Sequence, residues 1–375
     1  MDFSFTDEQK MLADSVERFV QDEYDFDTRK AITRSDEGFR RDYWEKFAEL
    51  GWLALPFDEE DGGLGGSAVD TMILMESFGK GLVVEPYVST VVLCGGFLRA
   101  AGTKAQKDAV LPGLMEGKTL LAFAYAEPTS RYNLADISTK AVKDGAGYKI
   151  TGHKAVVIHG PSADHFVVTA RTSGGQRDEK GVTVFLVSAK APGVSRRDYP
   201  TVDGLRASEV SFENVSVGAD AVIGEVDNGL ALVERVVDEG IAAISAEAVG
   251  AMKKLHDLTL DYLKTRVQFG QPIGRFQVLQ HRQVDMFMAY EQSKSMSYMA
   301  NLKLDEAPAA RKKALSAAKV QIGKAGRFIG QQSVQLHGGM GMTDELSVGH
   351  YFKRLTMIDT QFGNVDHHLK RFGAL

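Results

Sequence analysis

The 375-residue sequence predicts a multidomain α+β chain in which helical segments flank a β-rich middle, and three observations carry that prediction. Up to about residue 116, apolar residues recur at helical spacing. From 120 to about 222 they fall into short β-rich runs separated by Gly, Asp and Ser turns, and from 228 onward helical spacing returns. The expected domain limits are 1–118, 119–224 and 225–375. Length alone is a prior for about two or three domains.

The first block opens where Thr6, followed by Glu8 and Gln9, reads as a helix cap with Leu12, Val16, Phe19 and Val20 along one side of the helix. The run PFDEEDGGLGGS at 56–67 interrupts the helices as a loop. The middle block contains GYKITGHKAVVI, HFVVTART, GVTVFLVSA and EVSFENVSV, an all-β pattern. Long helical runs at 229–266, 277–305 and 309–335 make up most of the last block.

Composition narrows the function. A hydrophobic content of 44% supports a large core, and a net charge of −6 with a pI near 5.9 argues against nucleic-acid or anionic-membrane binding. No apolar run approaches the ~20 residues of a membrane span, and the start of the sequence lacks a basic segment followed by an apolar one, so no secretory signal is expected. The single cysteine, Cys94 in VVLCGGFL, excludes an intrachain disulfide framework and reads as a packed thiol, which suits a cytoplasmic protein.

Two clusters carry the chemistry. The first, RVQFGQPIGRFQVLQHRQVD at 266–285, places a cation in the last turn of a helix, ends that helix with Gly270, Pro272 and Gly274, and restarts a helical period at Phe276, Leu279 and Val284. Gln277, Gln280, His281 and Asp285 then present polar groups beside the N–H groups of a helix start, which can hold an anion. The second, QLHGGMGMTDE at 335–345, has Gly338 and Gly339 where a ligand or another chain could approach the backbone. It is not a dinucleotide fingerprint, because a helical run and not a strand precedes it, and a plain interhelical turn would show the same glycines.

Together the clusters resemble those of the acyl-CoA dehydrogenase family, which carries an Arg-x-x-Phe-Gly-x-x-Ile/Leu-x-x-x-Gln corner and a Gln-x-x-Gly-Gly-x-Gly turn. The resemblance implies an N-terminal helical domain, a middle β-barrel or sandwich and a C-terminal four-helix bundle. It implies FAD contacts at Arg266, Gln268, Phe269, Ile273, Phe276 and Gln277, and at Gln335, Gly338 and Gly339, with the Gly-Gly turn supplied by another subunit. It further implies an acyl-CoA substrate and an electron-transferring flavoprotein as electron acceptor.

Departures from the family pattern fall where the flavin ring and the base are expected. AEPTSRYNLAD stands in place of Thr-Glu-Pro-x-x-Gly-Ser-Asp, which puts Ala126 at the hydroxyl position and keeps Glu127 and Pro128. Val156, Val157, Ile158, His159 and Gly160 replace Trp-Ile-Thr-Asn-Gly. The family's catalytic Glu lies either in a Tyr-Glu-Gly turn near the C-terminus, where this chain has Phe362, Gly363 or Asn364, or on the helix before the Arg corner, where it has Gly240. Glu239 is one residue, about 100° of helix, from that second position. Asp238 falls where the family has an acid that contacts CoA, and Ile241 where it often has an arginine.

Other polar residues have structural readings. Glu247, seven residues from Gly240, is expected to make a hydrogen bond within the core, and His281 and His337 are expected to be hydrogen-bond partners. Asp366, His367 and His368 lack ligand spacing, so no metal is expected. With the FAD-anchoring motifs kept and the base missing, the chain resembles the small subunit of two-component acyl-CoA dehydrogenases such as pimeloyl-CoA dehydrogenase and the paired steroid side-chain enzymes. Two other readings stay open: a self-sufficient homo-oligomeric dehydrogenase using Glu239 or Asp366, and a flavin-free assembly or regulatory subunit.

Overall fold

The structure is a computed structural model that describes residues 4–375. Its contacts define two compact units, one comprising the chain up to Ala31, Ala68–Val83 and Ile241–Leu375, the other Ile32–Ser67 and Val84–Gly240.

The second unit contains helix α3 (Arg41–Glu49), which buries Tyr43, Trp44 and Phe47, together with α5 (Gly95–Ala101), α6 (Lys104–Met115) and a mixed sheet. A π-helical turn, Val88–Cys94, leads into α5 and buries Cys94 completely, as expected of a packed thiol. The expected β module is one sheet of eight strands: β1 (Leu121–Ala124), β2 (Lys140–Asp144), β3 (Gly147–Ile158), β4 (His165–Arg171), β5 (Val182–Ser188), β6 (Val194–Pro200), β7 (Arg206–Val217) and β8 (Val222–Ile223). The order is β6-β7-β3-β2-β4-β5-β8, with β1 parallel to β4. Phe166, Val168 and Ala170 on β4 and Val210 and Phe212 on β7 alternate into one core. The β3–β7 register shifts between Lys154 and Val157, where Val156 takes φ 52°, a bulge that turns its side chain outward.

In the first unit, α1 (Asp7–Asp22) starts at the predicted cap: the Gln9 N–H donates to Thr6 Oγ1 and the Thr6 N–H to Gln9 Oε1, both at 3.2 Å. Helices α4 (Ala68–Gly81), α7 (Leu230–Thr265), α8 (Gln277–Leu302), α9 (Pro308–His337), α10 (Ser347–Thr360) and α11 (Val365–Ala374) complete it, with the first turns of α7 in the other unit. Helix α9 packs against α8, α10 and α11. Helices α4 and α7 cross at glycines: a Cβ on Gly79 would lie 1.9 Å from the Glu247 carbonyl oxygen, and one on Gly250 1.8 Å from that of Glu76. The chain also includes α2 (Phe26–Arg34). No helix among the described residues is long and apolar enough to cross a membrane.

Candidate functional site

The 266–285 corner contains more structure than glycine punctuation. Between α7 and α8 the chain forms a two-stranded hairpin, β9 (Val267–Gln268) and β10 (Gln271–Pro272), closed by Phe269 and Gly270 at φ 54° and 76°. Positive φ at both turn residues matches the twist of a tight hairpin, a conformation that glycine accepts and phenylalanine resists. The turn holds the Phe269 ring out at 89% exposure, edge-on to Phe276 with centroids 6.0 Å apart. The Ile273 N–H donates to the Arg266 carbonyl at 2.9 Å, which ties the 3₁₀ turn that leads into α8 to the end of α7, where Arg266 is exposed. Phe276, the residue before α8, has no side chain that can cap it, which leaves the first N–H groups of a 26-residue helix open to an anion.

The second cluster lies at the end of α9. Gly338, at φ 59°, and Gly339 are exposed, and a Cβ on either would meet nothing within 4 Å, so the backbone there is open to close approach. Gln335 is exposed beside them. The resemblance implies that this turn serves a flavin site shared with another subunit, and within this chain it sits at the end of a helix that also touches the helix leading into the corner. Tyr262, one turn before Arg266, stacks on His337 with ring centroids 4.3 Å apart, and its hydroxyl lies 3.5 Å from the His337 carbonyl. The helix ends that carry the two clusters therefore meet within one chain. His337 Nδ1 lies 2.8 Å from the Ser333 carbonyl, and burial lowers the pKa of its ring, so it serves as a hydrogen-bond partner. His281 is exposed.

In the other unit, Ala126 lies in the β1–β2 connection, where its carbonyl accepts from the Ala155 N–H at 2.8 Å. The next residue anchors this loop: Glu127 accepts from Lys154 Nζ at 2.8 Å and from the Ser138 and Thr139 N–H groups at 2.7 and 3.0 Å, with both members of the ion pair buried. Burial opposes the Glu127 charge, but Lys154 and these donors outweigh it and hold the carboxyl at about 2. His159, where the family has asparagine, is buried at φ 57° with Nδ1 2.9 Å from Ser89 Oγ and Nε2 3.0 Å from the Val84 carbonyl.

Both oxygens of Glu239 are engaged. Oε2 accepts from Arg99 at 2.6 Å and Oε1 from Arg235 at 3.0 Å, while Arg99 also donates to the Pro56 carbonyl at 2.9 Å. Asp238 has no exposed surface. Glu247 makes the expected internal bond, a two-pronged ion pair with Arg354 at 2.5 and 2.7 Å. In the C-terminal turn, Asn364 accepts from the His367 N–H at 3.0 Å as the cap of α11, and Gly363 takes φ 114°.

Sequence reading missed Arg99, Arg235, Lys154 and the Tyr262–His337 stack. The spacing of Arg235 to Glu239, four residues along one helix, was a legible signal. Arg99 lies 140 residues from Glu239 and left none.

Three family descriptions match this chain: the acyl-CoA dehydrogenase N-terminal domain over residues 6–118, the middle domain over 122–215 and the C-terminal domain over 227–371. A probable acyl-CoA dehydrogenase of Bacillus subtilis, YngJ, is 31% identical across 93% of this chain and 92% of its own length. Among solved structures, the FAD complex of PigA superposes with a TM-score of 0.92 at 27% identity, covering 100% of this chain and 98% of its own. The ChsE4-ChsE5 complex from Mycobacterium tuberculosis superposes at 0.89 with 25% identity, again over 100% and 98%. With all three of its consecutive regions matched and the overall architecture shared, the chain belongs to the acyl-CoA dehydrogenase family.

Proposed function

We propose that this chain is the small, FAD-binding subunit of a heteromeric acyl-CoA dehydrogenase that desaturates an acyl-CoA thioester. The observation that carries this reading is the state of the two places where the family keeps its base: Phe362, Gly363 and Asn364 at one and Gly240 at the other offer no carboxylate, and both oxygens of the neighbouring Glu239 accept from guanidinium groups. The resemblance to ChsE4-ChsE5, a complex of two named chains, supports a paired assembly.

The corner residues fit FAD. An exposed permanent cation at Arg266, the uncapped start of α8, the projecting Phe269 ring and the open backbone at Gly338 and Gly339 suit a pyrophosphate joined to a flat adenine. Arg266 and the α8 N–H groups would hold the pyrophosphate, Phe269, Ile273 and Phe276 the ring edges, and Gln268, Gln277 and Gln335 the polar rim. When bound, the flavin accepts the hydride that leaves the β-carbon. Ala126, on the loop anchored by Glu127 and Lys154, offers main-chain groups and no hydroxyl. Asp238 contacts CoA only if the partner or the thioester opens its buried position. Electrons then pass to an electron-transferring flavoprotein.

An anaerobic visible spectrum tests the reading on this chain alone and with its partner chain, before and after addition of acyl-CoA thioesters of several lengths. The expected result is flavin bleaching only when both chains are present. Bleaching by this chain alone would overturn the reading in favour of a homo-oligomeric enzyme whose base is Glu239 or the exposed Asp366. Flavin in neither sample would favour an assembly or regulatory role.

A further inference from the structure

Helix α9 carries Lys319, a lysine with no exposed surface. Its Nζ donates to the carbonyls of Ile358 at 2.6 Å, Asp359 at 3.0 Å and Gly363 at 2.9 Å. The first two belong to the last turn of α10, whose carbonyls have no partner within the helix, and the third to the turn that follows. Three acceptors at these distances match the three donors of an ammonium group. A side chain from one helix thus does for another what a C-terminal cap does, and extends the same grip to the corner beyond.

A second side chain closes the corner. His368 on α11, also without exposed surface, places Nε2 3.0 Å from the Phe362 carbonyl and Nδ1 3.3 Å from Ser316 Oγ on α9. Burial, with Lys319 and His367 adding repulsion, lowers the imidazole to about 3, so it is neutral and one N–H suffices for the carbonyl. Gly363, at φ 114°, has no room for a side chain: a Cβ there would lie 2.5 Å from His367 Cδ2 and 2.7 Å from His368 Nε2. Asn364 is committed to capping α11, and Phe362 is held at φ 56°, a conformation that a bulky residue resists. Of the three residues in this turn, only position 362 is left to carry a functional group.

We propose that Lys319 is the positioning residue of the Phe362–Gly363–Asn364 turn, and that this chain keeps the turn as an intact scaffold for a group at position 362 while presenting phenylalanine there. This rests on the reading that the turn lacks its base. Three carbonyls converging on one buried ammonium define a single backbone path, which is the property a reacting group needs from its support. A turn retained only as a connection between α10 and α11 would need no buried charge, since an apolar side chain on α9 and water on the carbonyls would serve.

The test combines amide exchange with flavin bleaching in the full-length protein. Lys319→Met should speed exchange across residues 361–368 by about tenfold or more, because carbonyls are left unpaired, with little change in α1 or the sheet. Lys319→Gln, which keeps two donors, should fall between and serves if the methionine variant does not fold. Phe362→Glu should let this chain bleach its flavin with acyl-CoA without a partner. Adding Lys319→Gln should remove most of that gain with thioester affinity unchanged. Unaltered exchange in the Lys319 variants, a silent Phe362→Glu protein that holds flavin, or a double variant as fast as Phe362→Glu would each overturn the proposal. Bleaching by the wild-type chain alone would instead overturn the two-chain reading, and the exchange arm decides the role of Lys319 even in protein without flavin.

Discussion

Two buried acids show how the same residue type takes different roles. Glu247 is clasped by Arg354 from α10 with both prongs of the guanidinium, and both residues are buried, which leaves little water to replace that partner. Removing one member of such a pair strands the other's charge, so Arg354→Met is expected to cost about 3–5 kcal/mol in urea unfolding. The double variant Glu247→Leu with Arg354→Met should recover most of the loss, because desolvating the pair offsets much of its attraction. Recovery of none would show that the pair is net stabilising. Glu239 is held by two arginines with its side chain 10% exposed, and its geometry is that of a brace between α5 and α7.

At the scale of elements, glycines in similar-looking runs do opposite work. Gly250 lets α7 approach α4 to backbone contact, and an alanine there would place Cβ 1.8 Å from the Glu76 carbonyl oxygen. Gly250→Ala is expected to destabilise the protein by about 1–3 kcal/mol in chemical denaturation, since overpacking exceeds the helix propensity gained. Gly339 faces open space, so Gly339→Ala should leave the denaturation midpoint unchanged while weakening flavin retention during gel filtration. A fall in stability at Gly339 with flavin retained would show that the glycine serves the turn. The hairpin between α7 and α8 belongs to the same scale: two residues per strand suffice to aim Arg266 and Phe269, and so short a hairpin needs the helices on either side to hold it.

For the molecule as a whole, one surface bears the marks of an interface. Val284, Phe287 and Met288 on α8 are 55%, 47% and 50% exposed and lie within about 100° of one another round the helix. Apolar side chains gathered on one exposed helix face are typical of surfaces covered in an assembly. Phe287→Asp combined with Met288→Asp is expected to lower the sedimenting mass at micromolar concentration while the circular dichroism spectrum stays unchanged. An unaltered mass would place the interface elsewhere. The proposed function requires a partner chain to supply a carboxylate, while Tyr262 and His337 hold the helix ends of the two candidate clusters together within this chain.

Much of this was legible in the linear pattern, because short-range physics wrote it. The Thr6–Gln9 cap, the strands of the sheet, the long C-terminal helices and the Arg266 and Gly338 clusters depend on residues within a few positions of one another, where periodicity and turn chemistry act directly. Glu239 looked like a near-miss base because its helical phase was readable and Arg99, 140 residues away, was not. The grip of Lys319 on α10, the crossing at Gly79 and Gly250, and the meeting of Tyr262 with His337 likewise join distant segments. The family and its candidate ligand corner are thus local properties of the chain. Which acids are occupied, which glycines are crowded and which carbonyls are tied down were decided by packing, because each depends on the one neighbour that folding brings within bonding distance.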